Sequence, residues 1–476
     1  MVSLVRKIPL AVFLLFGLSL AVHLWGIEFP ARVVFDEAHF GLYATKYIAH
    51  EYYFDIHPPL GKLILALGAW MGGIQPGFSF EAGTPYGPMH FWILRMIPAL
   101  FGSLLPVLAY GIMRQMKFSQ RAAFMAAFFV LFDNALLLQS RLILMDSMLL
   151  FFIFLSLLLF IRLRMQRFPS KHWYVFAFLC GLSIGGAMSV KVIGFGILGL
   201  IWLWFLAEYK VFRESTKSLI PRLAFLLVLP VLVWFSLFIV HFALLTKSCE
   251  QNCGYVLEND LSGIHPRGSL NEQSFSSFNA LKEGNLLTKL AYEYLSMFTN
   301  TISQEASHPY KSKWYGWPLL IRPVLYSEAF HNGQVQLLYF VGNPAVWWGS
   351  FLGVLLFAYV MAISYFKLRK AIVERKTMEN VCLLYIGFGI FWCFFALADR
   401  PLFLYHYLAA LMFACMISAL FLDWLFCHLS RAQQKAAFTA VLLVVIACFL
   451  YVAPFTYGFS VDKHELKERT FLFLWK

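Results

Sequence analysis

The sequence has 476 residues, of which 61% are hydrophobic and only 13% are charged, with a formal net charge of +13. A soluble domain of this size could not expose such a composition to water, so we interpret the chain as a membrane protein. Its apolar runs are continuous rather than alternating, which excludes a transmembrane β-barrel. The Lys and Arg residues lie in short clusters between these runs, which indicates membrane topology and excludes nucleic acid as a partner.

Eleven apolar runs, each close to the roughly 20 residues that cross a bilayer as a helix, predict about 11 transmembrane helices. They lie near residues 8–25, 92–113, 121–138, 143–161, 172–188, 193–208, 223–245, 343–366, 379–398, 403–426 and 437–455. The first run follows Arg6 and Lys7 and has no small-residue cleavage site after it, so it is expected to be an uncleaved span. The predicted fold class is an all-α polytopic bundle, expected as a single domain over residues 1–476.

The distribution of Lys and Arg predicts the orientation of this bundle. Every second connection between apolar runs is rich in Lys and Arg, whereas the short connections between them carry one such cation each, Arg141, Lys191 and Arg400. Because short cytoplasmic connections retain the excess of positive charge, the N-terminus is expected inside and the C-terminus outside. The membrane is expected to be the inner, or plasma, membrane.

Two long segments on the outer side, about 26–91 and 246–342, interrupt the series of spans. The apolar stretch Leu60–Gly73 is too short to span, so it predicts a helix lying in the membrane interface. The second segment contains Cys249 and Cys253, which fit either a disulfide in an oxidising compartment or two free thiols.

Asp36 and Glu37 form a carboxylate pair at the start of the first outer segment, with Phe35 before it and Phe40 shortly after. Desolvation and mutual repulsion raise the proton affinity of such a carboxylate, which suits a general base. The alternative is an acidic pair that complements the dipole at a helix N-terminus.

A second polar group follows, with Asp55, His57 and Lys62 around the dipeptide Pro58-Pro59. His57 and Lys62 are candidate substrate-binding residues, because an acid, a base and a cation lie within a few residues of each other. The alternative is a turn in which the prolines begin an interfacial helix.

Arg95, Arg141 and Lys191 lie near the outer ends of different predicted spans, and Asp146 lies close to Arg141 in sequence. Charged side chains inside membrane segments are costly and therefore indicate function by default. We expect the three cations to bind a phosphate group and Asp146 to contact substrate. The alternative is that the cations simply extend towards the interface.

Aromatic and basic residues alternate in the second outer segment, where His308, Tyr310 and Trp314 fit sugar stacking or acceptor binding. They fit an interfacial aromatic belt equally well. His406, between Tyr405 and Tyr407, is expected to be structural.

At these motifs the sequence resembles the protein O-mannosyltransferase family, within the GT-C superfamily of polyprenyl-phosphate-sugar-dependent glycosyltransferases. The resemblance runs in family order through most of the chain and is carried by the following stretches: Asp36-Glu37 with His39-Phe40-Gly41, His57 to Lys62, Arg95 with Pro98-Ala99, Asp133-Asn134 through Ser140-Arg141 to Asp146-Ser147, Ser189-Val190-Lys191, His308-Pro309-Tyr310, Gly342-Asn343-Pro344 with Trp347-Trp348, and Tyr405-His406-Tyr407.

The resemblance implies inverting transfer of a sugar, typically mannose, from a polyprenyl phosphate donor to Ser or Thr hydroxyls of secreted or membrane proteins, possibly during translocation. It implies that Asp36 is the general base, that Glu37 orients acceptor or sugar, and that Arg95 is essential near the donor. Arg141 and Lys191 are our own candidates for the phosphate. No cofactor is required by the residues present, although a divalent metal is compatible with the chemistry.

Eukaryotic members of the family carry a β-trefoil MIR domain in the second long loop, and the segment here is too short to hold one. The sequence therefore resembles the bacterial form, for which lipid A or an envelope polysaccharide is an alternative acceptor. A secondary transporter is a further alternative, although transporters favour ionisable residues near the bilayer midplane and internal repeats.

Overall fold

The computed structural model describes residues 10–212, 216–247, 286–302, 309–331, 333–368, 375–398 and 400–470. Its helices are α1 (Leu10–Leu24), α2 (Glu37–Ala49), α3 (Leu60–Met71), α4 (Trp92–Gln115), α5 (Gln120–Leu131), α6 (Asn134–Arg141), α7 (Asp146–Arg164), α8 (Lys171–Val190), α9 (Phe195–Phe212), α10 (Leu219–Leu244), α11 (Leu286–Ile302), α12 (Pro344–Leu368), α13 (Arg375–Cys393), α14 (Leu408–Phe426), α15 (Arg431–Tyr457) and α16 (Lys463–Thr470). Cys249, Cys253 and His308 lie outside the described residues.

The predicted bundle of apolar helices is confirmed, and the chain is a multi-pass membrane protein. Among the described residues, eight helices are long and apolar enough to cross a membrane, or nine if the bent pair α5 and α6 forms one span. The remaining predicted spans, 8–25 and 193–208, coincide with the shorter apolar helices α1 and α9. Continuous apolar runs predict such helices well, because a lipid-embedded backbone must satisfy its hydrogen bonds internally.

The long segment between α1 and α4 contains α2 and α3. The expected interfacial helix is α3, which is too short to span and begins directly after Pro59, as the two prolines predict. Its Lys62 side chain is buried, so α3 packs inward on the bundle as well. We call the end of the bundle that carries α2 and α3 the loop end.

A small antiparallel sheet, made of two strands from the second long segment and a third strand that follows α15, was not predicted from the sequence. It has the order β1-β2-β3, with β1 at Val324–His331, β2 at Gln334–Phe340 and β3 at Ser460–Val461. The sheet packs at the loop end, where the Arg32 guanidinium donates a hydrogen bond to the Ser327 hydroxyl over 3.0 Å.

The break between α5 and α6 sets the position of the residues that follow it. The Asp133 carboxylate caps α6 by accepting from the Leu136 N–H over 2.9 Å. It also accepts from the Asn343 N–H and the Trp347 indole N–H, over 3.0 and 2.7 Å. Because these partners lie at the start of α12, Asp133 fixes α6, and the turn that leads into α7, against the second half of the chain.

Candidate functional site

Glu37 is fully buried in the first turn of α2, and five hydrogen bonds satisfy its carboxylate. Arg95 donates to both carboxylate oxygens, over 2.7 and 2.9 Å. The backbone N–H groups of Val34 and Ile143 donate over 3.0 and 3.1 Å, and the Tyr86 hydroxyl donates over 3.1 Å. Glu37 therefore joins α2, α4 and the α6–α7 turn, and this arrangement does not support the prediction that it orients acceptor or sugar.

Arg95 is equally enclosed, with none of its side chain exposed. Besides Glu37, its guanidinium donates to the carbonyls of Ile27 and Arg32, each over 3.2 Å, and it lies 4.9 Å from the Phe91 ring centroid. The prediction that Arg95 contacts the donor phosphate is not supported, because its donors are directed at the protein. An ion pair buried in this way is strongly destabilised when one partner is removed.

Arg141, at the end of α6, is buried against the C-terminus of α1. Its guanidinium donates to the carbonyls of His23 and Gly26 over 2.7 and 2.9 Å, and it lies 4.5 Å from the Tyr457 ring centroid. A cation at this end of a helix complements the helix dipole and satisfies orphan carbonyls. The geometry therefore does not support phosphate binding by Arg141.

Asp36 differs from its neighbour in having a partly exposed side chain. Among the described residues, no group donates a hydrogen bond to its carboxylate. Burial raises its pKa above the ordinary value of 3.8, and the charges of Asp146 and Asp55 also raise it, whereas His39 and Lys191 lower it. The result is a carboxylate with increased proton affinity and free acceptor capacity, which is what a general base requires.

A strained turn presents Asp36. The preceding residue, Phe35, has φ of +49°, which costs a non-glycine residue of order 1–3 kcal/mol and persists only when the surroundings enforce it. The Tyr326 ring of β1 provides that support, because it stacks on the Phe35 ring at a centroid distance of 3.7 Å and an interplanar angle of 7°.

Lys191 and Asp146, far apart in sequence, form an ion pair whose two charges act on Asp36. We call the region around Asp36, Asp146 and Lys191 the cleft. The Lys191 ammonium donates to both Asp146 oxygens over 2.8 and 2.9 Å. The Gln139 amide donates to Asp146 over 2.9 Å, and its oxygen accepts from the Tyr326 hydroxyl over 2.6 Å. A continuous chain of contacts thus runs from the Phe35 ring to the Lys191 ammonium.

His57 lies in this cleft as a neutral ring. Burial lowers its pKa well below 6.5, and the charges of Lys191, Lys62 and Arg400 lower it further. Its Nδ1 atom is buried without a hydrogen-bond partner. Lys62, predicted to bind substrate beside it, is buried and donates to Asp55 and to the His57 carbonyl, each over 2.6 Å, so its geometry is that of a structural residue.

Arg400 and His406 are members of the cleft that the sequence analysis did not select. The Arg400 guanidinium lies 3.5 Å from His406 Nε2, and both residues act electrostatically on His57. The His406 ring stacks on Tyr405 at 4.7 Å, and Tyr405 meets Phe35 edge-on at 6.1 Å. The sequence feature that could have indicated these residues is a single cation, Arg400, in a short connection just before the aromatic triplet Tyr405-His406-Tyr407.

Among the described residues, Trp314 contacts aromatic rings outside this cleft, those of Tyr315 and Trp392. Trp314 packs against Trp392 at 5.4 Å, and its carbonyl accepts from the Trp392 indole N–H over 3.0 Å. Burial raises the pKa of Tyr310, and the charge of Glu328 in β1 raises it further. Among the described residues, no group of three or more His, Cys, Asp and Glu side chains could hold a metal ion.

The cleft combines an accessible base, a paired cation, a second cation and a wall of aromatic rings. A base can take a proton from a hydroxyl nucleophile, and cations can offset the charge of an anionic leaving group. Aromatic faces suit the apolar faces of a sugar or a peptide. The arrangement therefore fits group transfer from an anionic donor to a hydroxyl.

Solved structures with the same fold are membrane glycosyltransferases. The S. cerevisiae protein O-mannosyltransferase Pmt1-Pmt2 complex bound to the sugar donor matches with a TM-score of 0.84 and 20% identity, over 100% of this chain and 93% of that chain. ArnT from Cupriavidus metallidurans bound to undecaprenyl phosphate matches with a TM-score of 0.58 and 13% identity, over 96% and 78% of the two chains. The fold is that of the GT-C membrane glycosyltransferases.

Sequence comparison identifies the family. The model for dolichyl-phosphate-mannose-protein mannosyltransferase matches residues 13–246, and the model for the C-terminal four TMM region of protein-O-mannosyltransferase matches residues 287–475. The chain belongs to the protein O-mannosyltransferase family.

Curated relatives match part of their length. Protein O-mannosyl-transferase 1 of Mus musculus is 35% identical over 49% of this chain and 33% of its own length. Dolichyl-phosphate-mannose--protein mannosyltransferase 6 of Saccharomyces cerevisiae is 32% identical over 56% and 37% of the two chains. The matched regions thus cover little more than a third of these relatives.

Proposed function

We propose that this chain transfers a sugar, most simply mannose, from a polyprenyl phosphate donor to Ser or Thr hydroxyls of secreted or membrane proteins, with inversion at the anomeric carbon. The observation that carries the proposal is the carboxylate of Asp36, which is partly exposed, has a raised pKa, has no hydrogen-bond donor among the described residues and lies within electrostatic reach of the Lys191 ammonium. Family membership and the donors named for the Pmt1-Pmt2 and ArnT structures support the choice of donor.

In the proposed reaction, Asp36 takes the proton of the acceptor hydroxyl as its oxygen attacks the anomeric carbon of the sugar. The bond from that carbon to the phosphate oxygen breaks, and the polyprenyl phosphate leaves with the bonding electrons. Lys191 and Arg400 offset the charge of this leaving group. Neutral His57 adds no further charge to the cleft and has an unused ring nitrogen for a substrate hydroxyl.

We propose that the whole chain works as one transmembrane catalytic domain in the inner, or plasma, membrane. The N-terminus would be cytoplasmic and the loop end would face outward, because the short connections rich in Lys and Arg lie on the other side. A donor carried on a membrane lipid and an acceptor crossing the same membrane then meet at the cleft.

The test is transfer by the purified protein from a polyprenyl-phosphate sugar to a Ser- and Thr-containing peptide. Replacing Lys191 or Arg400 with Gln is expected to raise the KM for the donor, since each change removes a charge that faces the phosphate. Lys435→Gln, at an exposed position at the start of α15, is the matched control and should behave like wild type. Transfer to lipid A or a polysaccharide but to no peptide would contradict the proposed acceptor, and unchanged donor kinetics in both variants would contradict the phosphate site.

The pH dependence of kcat/KM is expected to report Asp36. The base works only when ionised, and its pKa is raised, so activity should fall as the pH decreases through a value above 3.8. Lys191 lowers the pKa of Asp36 and Asp146 raises it. Lys191→Gln should therefore move this acidic limb to higher pH, and a limb that moves to lower pH would contradict the assignment of Asp36 as the base.

A further inference from the structure

Among the described residues, the β1 strand lies at the edge of its sheet. In the order β1-β2-β3, β2 is the one described strand that pairs with β1. The strand reads Val-Leu-Tyr-Ser-Glu-Ala-Phe-His, without the Lys or Pro that commonly protects an edge from pairing. Apart from Glu328 and the β-bulge between Leu325 and Ser327, the strand carries none of these protecting features, so its edge can serve as a template for a further strand.

The register shows which backbone groups face away from β2. His331 pairs with Gln334 across a two-residue connection, and the pair that closes such a hairpin is hydrogen-bonded. Counting back by twos, Ala329 and Ser327 also bond to β2, so the N–H and C=O groups of Glu328 and Phe330 point outward. Among the described residues, neither has another backbone hydrogen bond, and the Phe330 side chain is 69% exposed.

The inner end of β1 reaches the candidate active site. Tyr326 stacks on Phe35, the residue before Asp36, and lies two positions from Glu328. At about 3.3 Å per residue, the free edge at Glu328 begins roughly 7 Å along the strand from that ring stack. A segment paired alongside β1 would therefore run from solvent towards Asp36.

We infer that β1 is the docking edge for the acceptor polypeptide, which adds to the sheet as an extended fourth strand and so delivers its Ser or Thr to Asp36. This inference rests on the proposed function and names how that acceptor is held. Main-chain hydrogen bonds would supply affinity without requiring a particular sequence, as in other cases of strand addition. It follows that only an extended, unfolded acceptor segment can enter.

The test uses the wild-type protein and a series of acceptor peptides with a single N-methyl group moved one residue at a time. N-methylation removes one backbone donor, so acceptor KM should rise about 2- to 10-fold at alternate positions and stay unchanged at the positions between them. A period of two supports strand pairing. Equal effects at all positions, or no effect at any, would overturn it.

Two variants test the same edge from the protein side. Glu328→Pro removes the carboxylate and an outward-facing N–H, a loss that edge strands tolerate, whereas Glu328→Ala removes the same carboxylate and keeps that N–H. We expect Glu328→Pro, but not Glu328→Ala, to raise the KM for a long acceptor peptide. The KM for the donor should be unchanged in both variants, and so should the KM for an acceptor that consists of one capped serine. Identical KM values for the two variants would overturn the inference. Absence of transfer by wild type to any peptide would instead refute the proposed function, and the inference with it.

Discussion

Replacing Asp36 with Asn is expected to lower kcat at least about 100-fold, the lower range for loss of a general base. Stability should respond in the opposite direction. Because the folded protein raises the pKa of Asp36, the protonated form is favoured on folding, and the ionised form at neutral pH opposes it. Asn carries no charge, so the variant should unfold at the same temperature as wild type or at a higher one.

Turnover and thermal unfolding, measured on the same purified sample, check both parts of this expectation. Asp462→Asn, near the start of α16 and exposed, is the control for a general effect of losing one carboxylate. Near-wild-type turnover in folded Asp36→Asn protein would remove Asp36 from the mechanism. Lost turnover together with a large fall in unfolding temperature would mean that Asp36 is structural.

Glu37→Gln is expected to destabilise the protein by about 3–5 kcal/mol, because it leaves Arg95 as an unpaired charge in the protein interior. Substitution of Asp36 should therefore affect turnover, whereas substitution of the adjacent Glu37 should affect stability. Tyr86→Phe is the matched control, since it removes a single hydrogen bond to the same carboxylate and keeps the charge pair.

The free energy of unfolding of Glu37→Gln, Arg95→Met and the double variant should show strong coupling. Residues joined by a buried ion pair are not additive, so the double variant should lose less than the sum of the single losses. Additive losses would contradict the ion pair. Unchanged stability with weakened donor or acceptor binding would instead mean that Glu37 contacts substrate.

The sequence was sufficient to predict the apolar helices, and it selected several of the charged residues that the structure brings together. A long apolar run in lipid must form a helix, because its backbone hydrogen bonds have to be satisfied internally. Asp36, Asp146 and Lys191 lie beside such runs, and this position indicated a polar site. The structure brings Asp146 and Lys191 together as an ion pair and lets Lys191 act on Asp36. A role for these residues in catalysis remains a prediction.

The sequence could not separate structural cations from those that face the cleft. Arg141 donates to backbone carbonyls such as that of His23, and Arg95 donates to two carbonyls in addition to Glu37. A backbone carbonyl is present at every residue, so the sequence cannot show which cations it will bind. Lys62 was predicted to bind substrate beside His57, but its partner Asp55 lies in the same short motif. The sequence of such a polar motif is the same whether its charged side chains pair with each other or bind a ligand.

The hairpin was missed for a different reason. Asn332-Gly333 follows β1 and precedes alternating apolar residues of β2, which is a strong hairpin signal. At 8 residues, β1 is short beside a transmembrane run, so hydropathy alone does not single it out. Because the hairpin was not predicted, the contacts of Tyr326 with Phe35 and Gln139 were not predicted either.

The stack of Phe35 on Tyr326 also has a consequence for the timing of assembly. Asp36 leaves the ribosome before Tyr326 and Arg400, and Tyr326 follows it roughly 290 residues later, or about 15–60 s at ordinary rates of synthesis. During that interval the strained turn has no ring to support it and the second cation does not yet exist. A partly synthesised chain, still threading through the insertion machinery beside other nascent proteins, therefore cannot carry a complete cleft.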